Sequence, residues 1–100
     1  MEYDKLVRDR IPEIIADSGK QCRYRTAEQE EYKEYLKAKL LEEAQEFFEE
    51  PSAKELADIN EVLDALSRVY KLQSAYAEQI AKRVTRGSFE KKIILEWVED

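Results

Sequence analysis

Two pairs of acidic residues, each with a spacing of three positions, lie close together in the middle of the chain. Glu43 and Glu46 form the first pair, and Glu55 and Asp58 form the second. Residues three positions apart share one face of a helix. The Pro-Ser dipeptide at 51–52 predicts a tight turn between two such helices, so four carboxylates could meet at one place. Clustered carboxylate oxygens are typical ligands of Mg²⁺ or Mn²⁺.

Helical projection separates these four acids from the many others in the chain. At about 100° per residue, Glu43 falls inside the apolar arc of the first helix and Glu46 at its edge. On the second helix, Glu55 projects into the apolar arc and Asp58 onto its edge. An inward acid is costly unless it is paired or bound to a cation. Lys39 is the nearest basic residue on these arcs, so we predict a metal ion as the counter-charge.

A structural explanation of the same acids stays open. Helices rich in Glu show pairs of this spacing by chance, and most such pairs are solvated surface. Glu55 could simply be the capping-box partner of Ser52, and Asp58 could complement the helix dipole. On the residues alone, the metal site and this alternative are about equally supported.

The composition indicates one helical domain, residues 1–100. Charged residues make up 40% and hydrophobic residues 43%, with two Gly and two Pro, which is typical of helices with solvated outer faces. The net charge of −6 argues against a nucleic-acid duplex as partner. The absence of histidine excludes His-based catalysis, which leaves carboxylates, Lys, Tyr or metal-bound water for acid–base chemistry.

The sequence also predicts a cytoplasmic location. Cys22 is the only cysteine, so no intrachain disulfide is possible and a reducing compartment is the simple interpretation. No stretch approaches the length of a membrane span, and the N-terminus lacks the apolar segment of a signal peptide. We therefore expect no membrane partner.

Capping and stop residues predict four helices that must position the acids. Two capping-box patterns, Thr26 with Gln29 and Ser52 with Glu55, open the two longer helices. The predicted helices are a short one from Pro12 closed by Gly19, two long ones at 27–49 and 53–71, and a last one from Ser74 to about Arg86, stopped by Gly87. The apolar tail 92–98 could pair as a strand with 21–25 or form a last helical turn.

Three blocks of sequence, in this order, resemble the MazG-type all-α nucleoside triphosphate pyrophosphohydrolases. The two acid pairs match the Glu-x-x-Glu and Glu-x-x-Asp motifs that this family carries on successive helices. The opening block 5–15 and the closing block, Lys82 with 86–93, resemble those of a small subgroup labelled phosphoribosyl-ATP pyrophosphohydrolase-like. The resemblance covers nearly the whole chain, although the segment 47–54 is shorter than in many MazG proteins.

The resemblance implies a mainly α helical bundle that binds Mg²⁺, with Mn²⁺ as a substitute, through Glu43, Glu46, Glu55 and Asp58. It implies hydrolysis of a nucleoside triphosphate between the α- and β-phosphates, which gives a monophosphate and pyrophosphate. It also implies a homodimer or homotetramer whose bundle is completed across an interface. Glu43 and Glu46 are the predicted catalytic residues, with Glu46 as a candidate to orient or deprotonate the attacking water.

Four basic residues are candidates for phosphate contacts. Lys82 and Arg86 are four positions apart and share a helix face, although they could equally be a solvated basic face. Lys5 and Arg8 are further candidates, which could instead pair with acids such as Glu13 and anchor the N-terminal arm.

Two other functional classes remain open at this level. A non-enzymatic helical oligomerisation or interaction module would use the same amphipathic helices, but a plain helical interface would place Leu or Ala where Glu43 and Glu55 project inward. A metal-dependent phosphohydrolase of another small phosphate ester would keep the metal site and change the substrate.

Overall fold

The computed structural model describes residues 4–100, and their regular secondary structure is entirely α-helical. The elements are α1 (Ile11–Asp17), α2 (Gln29–Glu49), α3 (Ala53–Tyr70) and α4 (Ala75–Arg86). This confirms the mainly α class. Among the described residues, no helix has both the length and the apolar character needed to cross a bilayer.

The core lies in the antiparallel hairpin that α2 and α3 form around the turn at Pro51. Leu36 of α2 packs with Val62 and Leu66 of α3, and these three side chains are the buried apolar ones among residues 4–100. Partly buried apolar residues extend the contact: Leu6, Tyr32, Leu40, Ala65 and Val69. The hairpin is the element that carries both acid pairs, so its packing fixes their relative position.

The start of α3 confirms its predicted cap. The Ser52 side chain accepts a hydrogen bond from the Glu55 backbone N–H at 3.2 Å, which satisfies one of the orphan donors of the first turn. The helix ends where Lys71 adopts a left-handed conformation with φ of 57°, as helix C-termini commonly do.

The start of α2 differs from the prediction. Its N-cap residue is Glu28 rather than Thr26, and the capping box pairs Glu28 with Glu31. The Glu28 backbone N–H donates to Glu31 Oε1 at 3.3 Å. Arg25 also holds Glu31, with 2.7 Å between its guanidinium and the carboxylate, so the charged partner fixes the helix start two residues later than the Thr26 pattern indicates.

The helix α1 forms where Pro12 predicts it, and the chain leaves it through Gly19 at φ of 87°. A positive φ of this size is accessible to Gly at little cost. The segment before α1, residues 4–10, which we call the arm, lies across the hairpin. Leu6 packs against the core, and Tyr35 donates a hydrogen bond to Asp4 at 2.6 Å.

The helix α4 and the following tail stand apart from the hairpin. In the described part of the chain, α2 and α3 are the helices that contact each other, and α4 contacts none of the others. Residues 93–100 have no regular secondary structure. The strand pairing of 21–25 with 92–98 is therefore wrong, and so is the alternative of a last helical turn; residues 93–100 are all exposed.

Candidate metal centre

Three of the four predicted metal ligands converge where α2 meets α3. One carboxylate oxygen from each of Glu43, Glu55 and Asp58 lies within 4.8 Å of the others. The pair on α3 is brought to this place by the Ser52 cap, which starts the helix about one and a half turns before Asp58. The structure therefore brings three of the four predicted acids together where α2 meets α3.

The fourth predicted ligand, Glu46, belongs to a neighbouring group on α2. Carboxylate oxygens of Glu42, Glu43 and Glu46 also lie within 4.8 Å of one another, so Glu43 is common to both groups. Glu46 is exposed at the outer edge. The sequence does not single out Glu42, which pairs with Lys5 from 37 residues away along the chain and with Lys39 three residues before it.

Glu43 is the most buried acid of the site, with 6% of its surface exposed. One of its oxygens, Oε2, is buried without a hydrogen-bond partner, and so is Oε2 of Glu55. Burial raises the pKa of Glu43, and the neighbouring Glu46 adds to the rise, while the hydrogen bond to Lys39 opposes it. Two facing carboxylates with buried, unpaired oxygens are costly in a folded protein unless a cation or proton joins them.

Two basic residues partly neutralise the acids within the chain. Lys39 Nζ lies 3.2 Å from Glu43 Oε1 and 3.6 Å from Glu42 Oε2. Lys5 Nζ lies 3.1 Å from Glu42 Oε1, and this pairing holds the pKa of Glu42 below its usual range. Glu42 is thus a charged carboxylate bound to two lysines, whereas Glu43 keeps one oxygen free.

The N-terminal arm reaches the same site through Arg8. Its guanidinium donates to Asp58 Oδ1 at 2.8 Å and lies 4.0 Å from Glu61. Lys5 and Arg8, predicted as phosphate contacts, pair here with acids of the hairpin, which agrees with the alternative of an anchored arm; their contact with phosphate stays a prediction. The acids they hold are Glu42 and Asp58, while Glu13 pairs with Arg10 at 3.0 Å.

The structure does not bring the other two predicted phosphate contacts to the acids. Lys82 and Arg86 lie exposed on α4, which contacts none of the other helices in residues 4–100. Neither side chain forms an ion pair with the acid cluster in that part of the chain. Two open concavities lie elsewhere, one beside α1 between Asp9 and Tyr24 and one at the start of α2.

The donor set fits a hard divalent cation. Glu43, Glu55 and Asp58 offer carboxylate oxygens from two facing helices, and two of those oxygens are buried without a partner. Mg²⁺ takes oxygen ligands and keeps several waters, so a few carboxylates with an open outer side suit it. The exposed edge of the site carries Glu46.

Comparisons with protein-family models, with curated proteins and with solved structures give no match to this chain. The MazG-like membership that the motifs imply therefore stays a prediction.

Proposed function

We propose that this protein is a Mg²⁺-dependent nucleoside triphosphate pyrophosphohydrolase. The observation that carries the metal part of this proposal is the pair of buried, unpartnered oxygens on Glu43 and Glu55, beside Asp58. The nucleotide part is supported by the resemblance of three sequence blocks to the MazG-like enzymes. Mn²⁺ would substitute for Mg²⁺ because both accept carboxylate oxygens.

Glu43, Glu55 and Asp58 would hold the ion, with Glu46 completing the set from the exposed edge. When bound, the ion neutralises phosphate charge and lowers the pKa of a coordinated water. Glu46 would orient the attacking water and accept its proton, a role supported by its exposed position in the group around Glu43. The water oxygen would bond to the α-phosphorus while the bond from that phosphorus to the α–β bridging oxygen breaks, so that pyrophosphate would leave with the bridging oxygen and the monophosphate would keep the water oxygen.

The chain's basic residues have different roles in this proposal. Lys39 lies beside Glu43 and Glu42 and would limit their mutual repulsion. Lys82 and Arg86 remain the proposed phosphate contacts, and they would have to reach the acids by a movement of α4 or from another chain.

The test is release of pyrophosphate from a panel of ribo- and deoxyribonucleoside triphosphates with Mg²⁺ or Mn²⁺. We expect metal-dependent release that is lost in Glu46→Ala and Asp58→Ala. The matched controls are Glu49→Ala on α2 and Asp64→Ala on α3, which remove exposed acids outside the cluster and should leave turnover unchanged.

Other outcomes separate this proposal from its rivals. Release of orthophosphate without pyrophosphate would place the cut at another bond and favour a different phosphohydrolase. The absence of both metal binding and turnover would favour a helical interaction module, which the large apolar surface of the chain also suits: Leu41, Phe48, Leu63, Val84 and Phe89 are all exposed.

A further inference from the structure

The arm, residues 4–10, reaches the acid cluster with two cationic side chains. Arg8 donates to Asp58 Oδ1 at 2.8 Å, and Lys5 Nζ lies 3.1 Å from Glu42 Oε1. Asp58 is one of the three acids that offer carboxylate oxygens to the candidate metal site, and Glu42 belongs to the neighbouring acid group. The arm therefore binds to carboxylates of the same cluster that a divalent ion would use.

Charge explains why cationic side chains lie at this place. Glu43 is 6% exposed and its Oε2 has no hydrogen-bond partner, and Oε2 of Glu55 is likewise buried and unpaired. Repulsion among these carboxylates and Asp58 is reduced when a positive group lies close to them. Arg8 supplies such a group at Asp58, so it acts as an internal counter-charge of the cluster.

The contacts that hold the arm are individually weak. The Arg8 side chain is 55% exposed and that of Lys5 is 47% exposed, and an exposed ion pair changes an equilibrium constant by at most about five-fold. Tyr35 adds one hydrogen bond to Asp4, and Leu6 is only partly buried on the core. Helix α1, which follows the arm, contacts none of the other helices in the described part of the chain. A modest change of charge at the cluster is therefore enough to shift the arm between a bound and a released position.

We propose that the arm is a strap that stays clamped to the acid cluster until a divalent ion binds there, and that binding of the ion releases it. Arg8 would lose the charge of its partner to an ion held by Glu43, Glu55 and Asp58, and its guanidinium would be repelled by that ion. The bound fraction of the arm would then fall. This inference rests on the metal site of the proposed function and adds a regulatory element that the proposed reaction does not require.

The coupling between the arm and the ion acts in both directions. If Mg²⁺ lowers the bound fraction of the arm, a bound arm lowers the affinity for Mg²⁺ by the same factor. The strap would therefore raise the Mg²⁺ concentration at which the acid cluster fills.

The rate of thiol labelling at position 6 measures release of the arm. In Leu6→Cys on a Cys22→Ser background, the thiol is partly buried against the core and reacts slowly with a maleimide while the arm is bound. Saturating Mg²⁺, which prefers oxygen ligands and leaves the thiol available, should raise the labelling rate about two- to five-fold, because one exposed ion pair is lost. Leu40→Cys is the matched control, since Leu40 packs against the same core from α2. Its labelling rate should stay constant or fall.

A second substitution tests the cause of the release. Arg8→Ala added to Leu6→Cys removes the contact with Asp58, so labelling should already be fast without Mg²⁺ and the ion should add little. Arg10→Ala in its place breaks the pair with Glu13, outside the cluster, and should leave the response to Mg²⁺ unchanged.

A fluorophore on the arm gives a measurement that leaves the apolar contact of Leu6 intact. Val7 is 41% exposed, so Val7→Cys on the Cys22→Ser background can carry a label without displacing a buried side chain. The fluorescence anisotropy of this label should fall when Mg²⁺ is added, because a released arm moves more freely than a bound one.

Titration calorimetry separates failure of this inference from failure of the metal site. If the protein binds Mg²⁺ while neither the labelling rate of Leu6→Cys rises nor the anisotropy falls, the strap is overturned and the metal site stands. If calorimetry detects no binding of Mg²⁺, the metal site fails and the strap fails with it. An equal rise of the labelling rate in Leu40→Cys would assign faster labelling to loosening of the hairpin, which also overturns the inference.

Discussion

Opposing interactions act on the carboxylate of Glu43. It is the most buried acid of the site, it is paired through one oxygen with Lys39 at 3.2 Å, and its other oxygen has no partner. Burial raises the pKa of Glu43, so the folded state binds its proton more tightly than the unfolded state does. Charging this group therefore destabilises the fold as the pH rises through the ordinary carboxyl range.

We predict that Glu43→Gln weakens metal binding without lowering the stability of the metal-free protein. Without metal at pH 7, the variant should unfold at the same temperature as the wild type or higher, because the buried charge is gone. Saturating Mg²⁺ or Mn²⁺ at a hundred times its dissociation constant would stabilise the wild type by about 2.7 kcal/mol, and the variant should lose most of that gain.

Thermal unfolding followed by circular dichroism, with and without metal, checks this expectation. Glu49→Gln is the control, since it neutralises an exposed acid on the same helix outside the cluster. If metal raises the unfolding temperature of Glu43→Gln as much as that of the wild type, Glu43 is not a metal ligand.

Arg8 supports a second residue-scale prediction. Its guanidinium lies 2.8 Å from Asp58 Oδ1, so a cation arriving at Asp58 must compete with it. Exposed ion pairs contribute about 0–1 kcal/mol, so Arg8→Ala should tighten Mn²⁺ binding by no more than a few-fold. Arg10→Ala, which breaks the pair with Glu13 beside α1, should leave the affinity unchanged.

Titration calorimetry with Mn²⁺ measures both variants. Weaker binding in Arg8→Ala would mean that the arm holds the acids in place rather than competing for them.

At the scale of elements, the two predicted serine caps behave differently. The Ser52 side chain accepts the Glu55 N–H, whereas Ser74 stands at the N-cap of α4 and makes no such bond. Ser52→Ala should therefore cost about 1 kcal/mol of stability, and Ser74→Ala should cost much less. Urea unfolding measures the stability of the two variants. An equal loss of stability in both would contradict the assignment of Ser52 as the capping residue of α3.

The sequence predicts helix ends well where one local contact decides them. Ser52 precedes α3 and Gly87 follows α4, as their residue types indicate. The prediction fails at α2, because the pairing of Arg25 with Glu31 depends on the path of the preceding loop rather than on capping preference. Glu42 was missed for a similar reason, since its lysine partner Lys5 lies 37 residues away along the chain.

At the scale of the whole molecule, amphipathic patterns predict which helix faces are apolar, but they do not predict which element packs against each face. The apolar faces of α2 and α3 pack against each other, and this part of the fold follows from the sequence. Leu63 and Tyr70 belong to the apolar residues of α3, yet both are exposed. The tail fails in the same way, because its β-branched residues favour a strand and no described strand is available to pair with it.

The position of the single tryptophan determines what its emission can report. Trp97 is 79% exposed in the tail and lies outside every helix, so its indole is close to the solvated condition before the protein is denatured. A urea curve followed by intrinsic fluorescence would be nearly flat while the α2–α3 hairpin melts. Mismatch between that curve and the far-ultraviolet signal would reflect where the fluorophore sits, and should not be taken as proof of a folding intermediate.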